Sequence, residues 1–388
     1  MTTEFEEISH SGGQVIFKIG KDGQGRRGYQ ITVTSDRPVP AAWLAIYALS
    51  PGIPVGTVSI GGIGQRSDPP PFANCYQVFI ASDSEGKFGH NCPSCNGYWR
   101  SGTWANVCPY CAVRAEGFHF ISEAQQRYVN HYCSVLEAGL ATVTDGEIVI
   151  DMNEVADAAG KEGEKPAFYI SDERQQCGFV CKACNEFNDI LGRFGYCSLC
   201  GTRNDLADFE DQTIPAIRAR LNSGSPPEDG VRDAVAAFDS FMAQIGKQFA
   251  KLIPMSERRR TRLEAQSFHN LSEVRKMMSD WFDVDLVSGM KAEEISVTER
   301  MFCRRHVYEH NGGEVDQRYI DNSGDTTVRL KQHIHETKEG AHDLMASLVK
   351  MARNVHRQFH ELFPPIDAPI KRFEADKAWK AKHSRVKR

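Results

Sequence analysis

The sequence predicts a multidomain α+β chain, with a β-rich N-terminal region bearing two zinc ribbons followed by an all-α helical bundle. Three observations carry this reading. β-Branched and aromatic runs broken by Gly and Pro fill the first 85 residues, eight of the twelve cysteines fall into four CxxC pairs, and from Asp205 onward apolar residues recur at helical spacing. At 388 residues the chain exceeds the roughly 250 to 300 residues at which a single core stops growing. The expected divisions are a β-rich domain (1–85), a first ribbon (86–115), a mixed α/β connector (116–175), a second ribbon (176–204), a helical linker (205–228), a helical bundle (229–363) and a basic tail (364–388).

In the first domain, strands are expected over 15–19, 29–35 and 55–60. Gly23, Gly25 and Gly28 match the spacing of a dinucleotide-binding loop, but a strand pattern follows them where that loop requires a helix, so a hairpin turn is the better reading. The uncharged stretch 41–64 is interrupted by Pro51, Pro54 and five glycines, so no membrane span is expected. The acidic N-terminus lacks the basic and apolar parts of an export signal.

The pairs Cys92 and Cys95, and Cys108 and Cys111, are separated by twelve residues; Cys181, Cys184, Cys197 and Cys200 repeat that spacing 89 residues later. Each CxxC makes a tight knuckle, and two knuckles close a tetrahedral shell around one ion. Two structural zinc ions in a reducing, cytoplasmic setting are therefore expected. A shell of four thiolates has no open position for substrate. Cys75, Cys133, Cys177 and Cys303 lack partners at ligand spacing and read as free thiols, although Cys177 precedes Cys181 by only four residues. The first ribbon contributes Tyr98, Trp99, Arg100, Trp104 and Tyr110, and the second Lys182, Phe187, Arg193, Phe194, Tyr196 and Arg203. Such residues either stack on bases or cover the metal and pack inward.

Between the ribbons a helix is expected over 122–139, stopped by Gly139, and a strand over 147–150. Further helices are expected over 213–221, 231–252, 271–281, 293–310 and 333–363. The Gly, Ser and Pro run 222–230 reads as a linker. Arg258, Arg259, Arg260 and Arg262 form one basic cluster. The tail after Pro369 carries eight basic residues against Glu374 and Asp376, a local charge of +6 in a chain of net charge −5. Attraction of a polyanion and a solvated terminus both fit that tail.

The segment 301–313 carries the candidate chemistry. Asn311-Gly312-Gly313 supplies a left-handed stop, so a helix should end at His310 with Phe302, His306 and His310 on one face. The partial negative charge of a helix C-terminus favours a protonated imidazole, and Arg305 adds a permanent cation. This combination suits phosphate. A metal held by His306 and His310, with His333 and His335 drawn in, is disfavoured by the absence of a HExxH carboxylate and by the adjacent Arg304 and Arg305.

Residues 305–310, Arg-His-Val-Tyr-Glu-His, resemble the HEPN superfamily, whose nuclease members carry an Arg, a polar residue, three further residues and a His. The continuation His310-Asn311-Gly312-Gly313-Glu314-Val315-Asp316, then Tyr319-Ile320-Asp321, is similar to HEPN proteins as well. The resemblance covers about a third of the chain (229–362). It implies a metal-independent RNA endonuclease that leaves a cyclic phosphate and a 5′-OH. On that reading His310 is the acid or base, Arg305 steadies phosphoryl charge, His306 orients or shares the proton, and a homodimer brings two motifs to one cleft. A role as a toxin or in defence against phage follows by family analogy alone. A non-catalytic RNA- or protein-binding adaptor dimerised by the bundle, and a nucleotide bound in the Arg and His cleft, stay open.

Overall fold

The computed structural model describes residues 7–9, 13–21, 23–35, 42–58, 69–141, 145–151 and 171–384. Positions 59–60 of the third expected strand, 152–170 of the connector, and Arg385, Lys387 and Arg388 of the tail lie outside the described residues. The chain forms two compact units, Met1–Thr202 with Ile366–Arg388, and Arg203–Pro365. The first is β-rich and holds both four-cysteine clusters; the second is helical. No helix among the described residues is long and apolar enough to cross a membrane.

In the first unit, β1 (Glu7–Ser9) pairs with β10 (Ser171–Glu173), and β2 (Gln14–Lys21) lies between β3 (Arg27–Thr34) and β9 (Gly146–Asp151). The strands β2 and β3 form an antiparallel hairpin across the glycine-rich turn, as the hairpin reading of Gly23, Gly25 and Gly28 expects. Along β2, Val15, Phe17 and Ile19 are buried while Gln14 and Lys18 are exposed, the alternation of a sheet with one covered face. A second sheet places β4 (Trp43–Leu49) between β5 (Ile53–Val58) and β6 (Tyr76–Ala81). Helix α1 (Glu123–Ala141) brings Tyr128, Tyr132 and Leu136 into one core with Val15, Phe17, Ile46 and Val78. Both buried phenols are satisfied, Tyr128 donating to the Phe79 carbonyl at 2.9 Å and Tyr132 to that of Gln77 at 3.2 Å. Gly139 does not stop α1, which runs on to Ala141. A Cβ there would lie 2.1 Å from Ile148 Cδ1, so this glycine permits close approach of helix and strand.

The two ribbons share one sheet. β7 (Phe88–Asn91) pairs with β8 (Tyr98–Ser101) in the register Phe88↔Ser101, and 89 residues on β11 (Cys177–Val180) pairs with β12 (Phe187–Ile190) as Cys177↔Ile190. Strands β8 and β12 then join through Arg100↔Asp189, equivalent positions of the two repeats. The Val107 amide donates to Ser198 O at 2.9 Å, and its counterpart Tyr196 donates to Pro109 O at 3.0 Å. The sequence repeat is thus a pair of ribbons related by a local two-fold, not two separate modules.

The helical unit begins earlier than the expected bundle. Helix α2 (Asp205–Asp208) passes through a π-turn (Phe209–Thr213) into α3 (Ile214–Asn222), burying Phe209, Ile214, Ile217 and Leu221. The expected linker is therefore packed helix. Its Gly and Pro residues make a tight turn, with Gly224 in the left-handed region and Pro227 opening α4 (Pro227–Leu252). Further helices are α5 (Glu257–Glu264), α6 (Leu271–Phe282), α7 (Ala292–His310), α8 (Gln317–Ser323) and α9 (Lys338–Leu362). Phe249 of α4 stacks on Phe282 at 4.2 Å and meets Phe359 edge-on at 5.4 Å, while Phe238 meets Phe302 of α7 at 6.1 Å. Arg259 and Arg262 of the basic cluster lie over Trp281, so part of that charge covers an aromatic face.

His356 on α9, half-buried, donates from Nε2 to the Arg203 carbonyl at 3.2 Å. Burial first, then the charges of His360 and Arg203, push its pKa down to about 3. A histidine whose folded pKa lies below its unfolded value stabilises the fold fully above about pH 6.5, and that contribution is lost as pH falls toward 3. The unfolding free energy of the helical unit is expected to drop by on the order of 2 kcal/mol between about pH 6.5 and 5. Urea titrations at both pH values should show His356→Gln flattening this dependence, and an unaltered slope in the variant would refute the assignment.

Candidate metal centres and active site

The chain folds all eight predicted cysteines into two sets of four whose sulfurs lie within 4.8 Å of one another, and no disulfide forms among the described residues. The residue after each CxxC adopts left-handed backbone: Asn96, Ala112, Asn185 and Gly201. Each amide there donates to the carbonyl of the first cysteine at 2.8 to 3.0 Å, closing four like knuckles. The Sγ separations are 3.6 Å for Cys92 and Cys111, 3.7 Å for Cys95 and Cys108, 3.7 Å for Cys181 and Cys200, and 3.5 Å for Cys184 and Cys197. A tetrahedral shell with metal–sulfur bonds of about 2.3 Å has sulfurs about 3.8 Å apart, so both sets fit a metal ion. Cys177 joins neither set.

The aromatic and basic residues of the first ribbon are structural. Trp99 is fully buried, stacked on His90 at 5.4 Å and edge-on to Phe120. Tyr110 donates to the Tyr98 carbonyl and accepts from the Leu191 amide. Arg100 is buried and paired with Asp83, Glu85 and, across the ribbon junction, Asp189 at 2.8 Å. Burial opposes its charge, but the carboxylates outweigh it and raise its pKa. In the second ribbon Tyr196 is buried, whereas Lys182 and Arg193 are exposed.

In the helical unit, α7 ends at His310 as the Asn-Gly-Gly signal predicts; Gly312 and Gly313 take positive φ, and the Asn311 and Gly313 amides both reach Val307 O. The His306 and His310 rings lie 4.6 Å apart. Arg305 Nε is buried without a hydrogen-bond partner, and no carboxylate pairs with its guanidinium among the described residues. The neighbouring Arg304 is committed elsewhere. It donates to Glu336 at 3.0 Å, to Asp325 at 3.4 Å and to the Tyr319 hydroxyl at 3.3 Å. These bonds tie the segment after the helix to α7, and Arg305, next in sequence, carries a charge close enough to lower the pKa of His306.

The same segment contributes groups beyond the predicted three. Asp316 accepts from Asn311 Nδ2 at 2.8 Å while capping α8 through the Tyr319 amide at 2.7 Å. Those two bonds, with the charge of His306, hold its carboxyl below the usual range. His306 lies below its ordinary value, through burial first and then the charges of His310, Arg318 and Arg305, against the pull of Asp316. The helix-end effect expected from the sequence is overridden at that residue. His333 lies ahead of α9, which starts at Lys338 under a Thr337 cap, and not within it as expected. Its ring rests on Gly313, where a Cβ would come within 3.1 Å of Nδ1, and Glu314 and His333 form an isolated β-bridge. Among the described residues the groups with three or more clustered metal ligands are the two cysteine sets, so the histidines join none.

No protein-family model, curated protein or solved structure matches the chain.

Proposed function

We propose that this chain is an RNA endonuclease of HEPN type that works without a catalytic metal, its two cysteine sets holding structural zinc. The observation that carries the reading is the unpaired Arg305 guanidinium beside two imidazoles 4.6 Å apart, next to an Arg304 whose charge is already satisfied. A fixed cation without a carboxylate partner is a place for a phosphate. In the proposed reaction the ribose 2′-OH gives its proton to a base and its oxygen bonds to the adjacent phosphorus. The bond from phosphorus to the 5′-oxygen breaks, and an acid protonates that leaving oxygen. His310 transfers the proton, His306 orients it, and Arg305 offsets the charge growing on the phosphoryl oxygens.

A mature reaction needs an acid and a base on opposite sides of the phosphorus, and this favours a homodimer with two motifs at one cleft. Light scattering of the full chain at micromolar concentration is expected to give a dimer; a monomer with full activity would exclude the composite site. The reaction itself is tested by incubating the purified chain with total RNA in EDTA and analysing fragment ends. Cyclic phosphate and 5′-OH termini are expected. RNA left whole while the protein still binds it would favour the adaptor reading. A toxin or antiviral role rests on the family resemblance alone.

A further inference from the structure

The basic tail is expected from sequence to be either a polyanion-binding segment or a frayed end, and its fold decides what it can offer. Residues Asp367–Ser384 form a helix, α10, in the same unit as the ribbons. Its start is fixed by the Ile366 amide donating to Cys200 O at 2.8 Å and by Ile370 packing against the second cysteine set. Between this helix and the knuckles lies a cleft of about 640 Å³. The helix lines it from positions 368, 369, 372, 373, 376, 377 and 380, alternating steps of one and three that form a single face.

That face carries Arg372, Lys377 and Lys380 against one carboxylate, Asp376. None of the three cations has an ion-pair partner among the described residues, whereas the neighbouring Lys371 is paired with Asp367 at 3.0 Å. Phe373 lies among them, and Leu199 of the second ribbon faces the cleft from the other wall. The span from Arg372 to Lys380 is about 12 Å at 1.5 Å per residue, room for several phosphates at roughly 3.4 Å each along a stacked strand. An apolar floor beside a row of unpaired cations matches a base with its backbone. The aromatics of the first ribbon hairpin, the more obvious candidates, are committed to the core.

We propose that this cleft binds single-stranded RNA, with phosphates along Arg372, Lys377 and Lys380 and a base against Phe373 and Leu199. The choice of RNA over DNA rests on the function proposed above; the site itself rests on charge and shape.

The test is fluorescence anisotropy of the full chain with a short labelled 2′-O-methyl oligouridine, which has no nucleophilic hydroxyl and so reports binding without cleavage. Three phosphate contacts give a slope of log affinity against log salt of about −2. Lys377→Glu with Lys380→Glu should bring the slope to about −0.7 and weaken binding at low salt, with unchanged melting because both residues are exposed. Phe373→Ala should weaken binding roughly tenfold. Unchanged affinity and slope in the charge-reversed chain would overturn the site, as would inorganic polyphosphate competing as well as the oligonucleotide. If the wild-type chain binds the oligonucleotide yet leaves ordinary RNA whole, the nuclease reading fails and the cleft stands. If RNA is cut while charge reversal changes nothing, the cleft fails and the nuclease stands.

Discussion

Cys197→Ser is expected to release metal from both cysteine sets, not from the second alone. The two ribbons share a four-stranded sheet, and the junction between them is the buried Arg100 held by Asp83 and Asp189. Each ribbon has so small an apolar core that its cysteines make up much of it. Thiolate–metal bonding at such a site contributes on the order of 10 kcal/mol or more to folding, far more than those cores supply. When the second ribbon opens, the first loses the β8–β12 pairing, the buried Ile190 in its apolar core and the Asp189 partner of Arg100 together, although Arg100 keeps Asp83 and Glu85. That loss falls on the first ribbon. Native mass spectrometry of the wild type should find two ions per chain, and the variant less than one. Trp99, fully buried in the first ribbon, should shift its emission toward that of exposed indole. A variant that keeps one tightly held ion and wild-type Trp99 emission would show that the ribbons are independent.

Features set by short-range chemistry were readable from residue spacing. The cysteine repeat predicted both four-cysteine clusters, and Asn311-Gly312-Gly313 predicted the end of α7 at His310, with Gly312 and Gly313 in the left-handed region. Features set by distant partners were not. Arg100 reads as an ordinary ribbon cation until Asp83 and Asp189 reach it, and Arg304 resembles Arg305 until Tyr319, Asp325 and Glu336 fold back on it. Gly139 was misread for the same reason, since its constraint is Ile148 on a neighbouring strand. The start of the last bundle helix was misplaced because apolar periodicity says little about caps, and Thr337 decides it. Residues 205–228 read as a helical linker, although Phe209, Ile214, Ile217 and Leu221 spell a buried face.

Arg305→Ala and His310→Ala are expected to abolish most RNA cleavage while leaving the fold intact, and the contrast with Arg304 makes that decisive. Arg305 Nε has no partner to lose, and His310 is exposed at a helix end, so melting should stay within about a degree or two of wild type. Removal of Arg304 takes its charge from Glu336 and from the buried Asp325, which keeps Tyr319, Thr327 and a distant Arg300, and should destabilise the helical unit by about 1 to 3 kcal/mol. In the proposed reaction Arg305 meets the phosphoryl charge and His310 moves the proton, so loss of either should slow cleavage roughly 100-fold or more. His306 is held below its ordinary pKa by burial and by neighbouring cations, so near neutral pH it is an uncharged ring suited to orienting His310. His306→Ala should therefore cost less than either. Rates on a defined RNA, measured with melting curves for all four variants, separate the roles. Full cleavage by His310→Ala would sink the assignment. Cleavage that vanishes on chelation while both ribbons keep their metal would replace it with a metal-dependent mechanism, and the search for ligands would return to His306, His310 and His333.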